Sequence, residues 1–118
     1  MRKGVRLITA LSLLGLALVG CTKNAASIGA SDDPAFRSAD PELKAGWETA
    51  LAAAKTNGYA TAILTLKRLQ TRTNLTPEQA KAIGETATAV RDQMYDAANK
   101  GDANAVNAIK ELRQAMAR

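Results

Sequence analysis

From Leu43 to Met116, apolar residues recur every three or four positions, and residues that cannot continue a helix interrupt this period three times. That combination confines the chain to four helices joined by short turns. Asp40-Pro41-Glu42 reads as a helix start, with an N-cap followed by proline at the first helical position. Leu43, Trp47, Ala50, Leu51 and Ala54 then share one face. Asn57-Gly58 ends this helix, with glycine expected to supply the left-handed cap conformation. A second helix is expected from about Tyr59 to Arg72, with Ala62, Ile63, Leu66 and Leu69 inward. Thr76-Pro77-Glu78-Gln79 has the form of a capping box, with Leu75 placed to staple against Ala80. The third helix carries Ile83, Ala87, Val90, Met94 and Ala97, and Lys100-Gly101 stops it. Asp102 caps a fourth helix bearing Ala105, Val106, Ile109, Leu112 and Met116.

Composition agrees with this reading. Hydrophobic residues make up 47%, much of it alanine, the best helix former, while aromatics make up 3%. The expected fold is therefore all-α, with about four helices as two αα-hairpins over residues 41–118. The hairpins would be stacked as repeats or closed as a small four-helix bundle. Large apolar side chains are sparse, so the expected state is a marginal monomer or a helical dimer.

The two hairpins carry an internal repeat. At an offset of 43 residues, Gly58, Ala60, Ala62, Lys67 and Leu69 lie over Gly101, Ala103, Ala105, Lys110 and Leu112. Ile63 over Val106 and Leu66 over Ile109 keep their character. Repeats of this length mark stacked helical units. The stretch from Gly58 to Ala62, and its counterpart from Gly101 to Ala105, weakly resembles the turn of tetratricopeptide-like helical hairpins. The resemblance implies a repeat architecture that presents a protein-binding face.

The N-terminus has a different grammar. Arg2, Lys3 and Arg6 precede a run from Leu7 to Leu18 that is apolar apart from Thr9 and Ser12. Small residues and a lone cysteine follow, in the layout of an export signal. The run is shorter than the roughly 20 apolar residues that span a bilayer. Leu18-Val19-Gly20-Cys21 closely resembles the lipobox of bacterial lipoproteins. The resemblance implies a diacylglyceryl thioether on Cys21, cleavage after Gly20 and N-acylation of the new terminus, with no other cofactor. It places the protein at the cell membrane or outer membrane, lipid-anchored and facing the periplasm or exterior. Thr22, rather than aspartate, follows the cysteine, which favours the outer membrane in a host that has one. Residues 1–20 are then a signal peptide. Residues 21–40, rich in small and turn-forming residues, are the lipidated cysteine and a flexible tether that holds the domain clear of the headgroups.

Charge and residue inventory narrow the function. Removing Arg2, Lys3 and Arg6 takes the basic residues from 16 to 13 against 11 acids, which lowers the formal charge from +5 to +2. That balance is no footprint of nucleic-acid binding, and the short basic run of Lys67, Arg68 and Arg72 reads as a solvated face. With no histidine and one cysteine, histidine-based catalysis, cysteine–histidine zinc sites and intrachain disulfides are excluded. Ser27, Ser31 and Ser38 lie in the expected tether, where nothing rigid holds a nucleophile. Asp92 and Asp96 lie one helical turn apart, read as a solvated pair neutralised by Lys110 rather than as a metal site. Asn74-Leu75-Thr76 matches a glycosylation sequon, a reading with little weight in a bacterial host. Trp47 and Tyr59 are candidate partner contacts or, equally, the main core residues. The chain is expected to be non-enzymatic, without a small-molecule substrate. It is expected to be an interaction module for another envelope protein or, alternatively, a self-associating structural lipoprotein. Gly58 and Gly101 break any long coiled coil, and the chain ends in Arg118 rather than in a lysine for peptidoglycan attachment.

Overall fold

Asp40 opens the first helix as its position requires, its Oδ1 accepting the Leu43 amide at 2.8 Å. The computed structural model describes residues 27–117. They form α1 (Pro41–Lys55), α2 (Tyr59–Gln70), α3 (Pro77–Asn99) and α4 (Ala103–Met116), preceded by a 3-10 turn at Pro34–Phe36. The start of α3 is a complete capping box: Thr76 Oγ1 accepts the Gln79 amide and Gln79 Oε1 accepts the Thr76 amide. Leu75 packs on the core beside it, while Ala80 is exposed, so the expected staple does not close.

Both hairpin turns are built alike. After α1, the Asn57 and Gly58 amides donate to the Ala54 and Ala53 carbonyls, and after α3 the Gly101 and Asp102 amides donate to those of Ala98 and Ala97. This is the Schellman closure, which needs one left-handed residue. In the second turn Gly101 takes that role with φ of 90°. In the first, the left-handed residue is Asn57 with φ of 62°, not Gly58. Asparagine tolerates this region because its short polar side chain bonds locally. Gly58 serves close packing instead, since a Cβ there would lie 3.2 Å from the Ala53 carbonyl oxygen. The two left-handed residues are thus one position out of step with the sequence repeat, whereas the buried pairs Ala62/Ala105 and Leu69/Leu112 keep it.

Packing is sequential. α1 packs on α2, α2 on α3 and α3 on α4, and α4 also reaches α2. No comparable α1–α4 contact closes a ring, so the hairpins stack. All five expected residues of α1 and all four of α2 are buried. Two apolar clusters result. One joins Leu43, Trp47, Leu51, Leu66 and Ile83, and the other joins Tyr59, Ile63, Val90, Met94 and Leu112. α4 is the exception to the expected faces. It buries Ala105, Ala108 and Leu112, leaves Ile109 half-buried and exposes Val106 and Met116. α2 is covered on both flanks, but α4 ends the stack, so one of its two apolar stripes has no neighbour among the described residues.

The expected tether is the largest correction. Within 21–40, Cys21 lies outside the described residues, but from Ile28 onward the chain is a strap packed on the helices. The Gly29 amide donates to Thr86 Oγ1 at 2.9 Å, and Trp47 Nε1 donates to the Ala30 carbonyl at 3.0 Å. Gln79 Nε2 donates to the Ala35 carbonyl at 2.9 Å. Phe36 is 1% exposed and stacks on Trp47, with ring centroids 4.2 Å apart and an interplanar angle of 12°. Burial of Phe36 on the chain's one tryptophan acts together with that of Ile28, Ala35 and Ala39 and with these hydrogen bonds to offset the ordering of the segment.

Candidate functional site

The aromatic candidates are occupied by the fold. Trp47 is fully enclosed, and Tyr59 is 5% exposed with its hydroxyl 3.5 Å from Asn57 Oδ1. Neither side chain presents a surface to a partner. Ser27, Ser31 and Ser38 are exposed and distant from any base–nucleophile arrangement. Asp92 and Asp96 are solvated, and Asp96 pairs with Lys100, one turn away on its own helix, at 3.0 Å, not with Lys110. Among the described residues, no three metal-ligating side chains converge.

The short basic run divides between two roles. Arg72 reaches back across the hairpin, placing its guanidinium 2.6 Å from Asp40 and 3.3 Å from Glu42. It thereby ties the end of α2 to the cap of α1. Lys67 instead points into a groove between α2, α3 and α4.

This groove encloses about 300 Å³. Its floor is the buried edge of the second cluster: Ile63, Met94 and Leu112. Half-buried Ile109 and two of the most exposed large apolar residues, Tyr95 at 48% and Met116 at 50%, form its walls. The rim is cationic. Lys67 comes from α2, Arg91 from α3 and Arg113 from α4, and among the described residues no carboxylate lines the site. None of the three forms an ion pair among the described residues. Lys67 and Arg113 stand in the last turns of their helices, where cations complement the carbonyl ends. Arg91 stands mid-helix and has no such role.

A broader depression of about 580 Å³ lies between the 3-10 turn and the start of α3, with Asp33, Glu78 and Glu85 around it. Its one buried polar member, Gln79, spends its amide on Thr76 and Ala35. Its apolar lining is small side chains, Pro34, Ala35 and Ala82, and Lys81 shares its rim with the carboxylates. Sequence reasoning missed the groove because its cations lie 22 to 46 positions apart. The apolar period of α4 was visible, but not which stripe would stay uncovered. Among the described residues, no helix is long and apolar enough to cross a membrane. No protein-family model, curated protein or solved structure matches the chain.

Proposed function

We propose that this chain is a lipid-anchored bacterial envelope lipoprotein, non-enzymatic, whose helical domain is a protein–protein interaction module. The observation that carries the module is the apolar stripe of α4 that the described residues leave uncovered, opening on a groove whose charged groups, among those residues, are all basic. Lys67 and Arg113 also complement their own helix ends, but Arg91 and the exposed Tyr95 and Met116 serve no part of the monomer's core. The anchor rests on the resemblance of Leu18-Val19-Gly20-Cys21 to a lipobox. Two or three acyl chains on Cys21 would hold the protein firmly, since each buried methylene contributes roughly 0.8 kcal/mol.

The packed strap changes the picture of the tether. Six residues, 22–27, separate Cys21 from Ile28, the first residue packed on the helices. At about 3.3–3.6 Å per residue, the span from Cys21 to Ile28 cannot exceed roughly 25 Å. The domain works close to the headgroups rather than far above them.

Metabolic labelling with a palmitate analogue, together with membrane fractionation, tests the anchor. Wild type takes up label and sediments with membranes, whereas Cys21→Ala does neither. Label-free wild type, or Cys21→Ala that still sediments after carbonate extraction, refutes it. Crosslinking in native membranes tests the module. A reproducible partner that is lost with Cys21→Ala supports it, and self-crosslinks alone refute it in favour of a structural lipoprotein.

A further inference from the structure

We propose that the α2–α3–α4 groove takes an acidic amphipathic helix of another protein, with apolar side chains on Ile109, Tyr95 and Met116 and carboxylates on Lys67, Arg91 and Arg113. This deepens the module reading above and rests on it. Three arguments select this occupant. The first is charge: three cations and, among the described residues, no carboxylate surround an apolar floor, so a ligand flanked by carboxylates is attracted and a basic one repelled. The second is shape. The stripe that α4 leaves open matches, in the internal repeat, the Ile63 and Leu66 stripe that α2 buries. On α2 that stripe is covered by neighbouring helices. A helix laid on α4 continues the stack by the same packing, which is the helix-in-groove mode of peptide recognition.

The third argument weighs against the two nearest competitors. A symmetric dimer through this groove sets each cation cluster against its own copy, since an isologous interface pairs a patch with itself. A lipid surface is less well placed, because the strap attaches elsewhere on α3. The Gly29 amide bonds Thr86 on α3, and Tyr95 lies nine residues further, about two and a half turns, and so on the opposite side of that helix. The short span to Cys21 therefore leaves from the side of α3 facing away from the groove.

The test is a selection from a displayed library of helical peptides, randomised at all outward positions, against the full lipidated protein in phosphatidylcholine nanodiscs. Enriched peptides are expected to carry apolar residues at i and i+3 or i+4, flanked by Glu or Asp. Their affinity is expected to fall at least ten-fold with R91E/R113E, a double variant at two exposed positions. Circular dichroism confirms that this variant is folded. Wild-type binding of the same peptides is expected to weaken as salt rises. No enrichment, enrichment of neutral or basic peptides, or affinity indifferent to R91E/R113E overturns the proposal. So does binding that phosphatidylglycerol vesicles abolish by occupying the groove, or a groove-dependent dimer in sedimentation. Failure here with palmitate labelling and a membrane partner intact sinks the groove and leaves the tethered module standing. Loss of labelling with peptide binding intact sinks the anchor alone.

Discussion

Replacing Phe36 with alanine tests whether the strap is part of the fold. The ring is 1% exposed and lies flat on Trp47, which is itself fully enclosed. Truncation removes roughly 150 Å² of buried apolar surface, worth about 4 kcal/mol at about 25 cal/mol per Å². Phenylalanine-to-alanine changes in closed cores fall in the same range, about 3–5 kcal/mol. A domain of this size holds on the order of 5–13 kcal/mol in total, so the loss is a large share. At about 4–8 °C per kcal/mol, the melting temperature falls by roughly 15–30 °C. The assay is thermal melting followed by helix dichroism and by emission of Trp47, the one tryptophan in the chain. Both signals move together if the strap and helices melt as one unit. Ser38→Ala, at an exposed position of the same segment, is the control and stays within about 0.5 kcal/mol of wild type. If Phe36→Ala melts with Ser38→Ala, the segment is a free tether and the packing argument fails.

Three further substitutions separate space, backbone and charge. Gly29→Ala puts a Cβ 2.5 Å from Trp47 Cζ2, so either the strap or an enclosed ring shifts. An overpacking loss of about 1–3 kcal/mol is expected in chemical denaturation, and a neutral result would show that the strap stands off. Gly101→Ala meets no atom within 4 Å but sits at φ of 90°, so its loss of about 1–2 kcal/mol is backbone strain alone, and an unchanged melting temperature contradicts it. Asp40→Ala removes both the α1 cap and the Arg72 pair, whereas Asp40→Asn can retain the cap. The alanine variant is expected to lose about 1 kcal/mol more, and equal losses would mean that the ion pair, not the cap, dominates.

The helices were legible because their signals are local. Asp40 and the Thr76–Gln79 box announce themselves in sequence, and the faces of α1 and α2 follow a period that tertiary packing did not override. The strap left no such signal. Its large apolar residues, Ile28 and Phe36, are too far apart to form a period. Its polar contacts also use main-chain atoms, the Gly29 amide and the Ala30 and Ala35 carbonyls, which any residue supplies. The outward stripe of α4 was illegible for another reason. Val106 and Ile109 fit a buried face as well as the corresponding Ile63 and Leu66 of α2 do, and only position at the end of the stack leaves them open. The groove inherits that blindness, since its rim needs three helices to be in place before its cations meet.

The strap and α4 are seated in different apolar clusters by their buried residues, Phe36 in the Trp47 cluster and Leu112 in the Met94 cluster, and Ile28 of the strap packs against both. The two ends of the described chain are therefore two latches on a shared frame, joined at Ile28. Each can lift by its own low-energy excursion before any global event, and lifting the strap also loosens the edge of the Met94 cluster. The amides of α2, sheltered under both latches, wait for the slowest of these openings. A partner seated along α4 would slow the α4 excursion directly and reach the strap only through Ile28, so its mark would fade from one end of the molecule to the other.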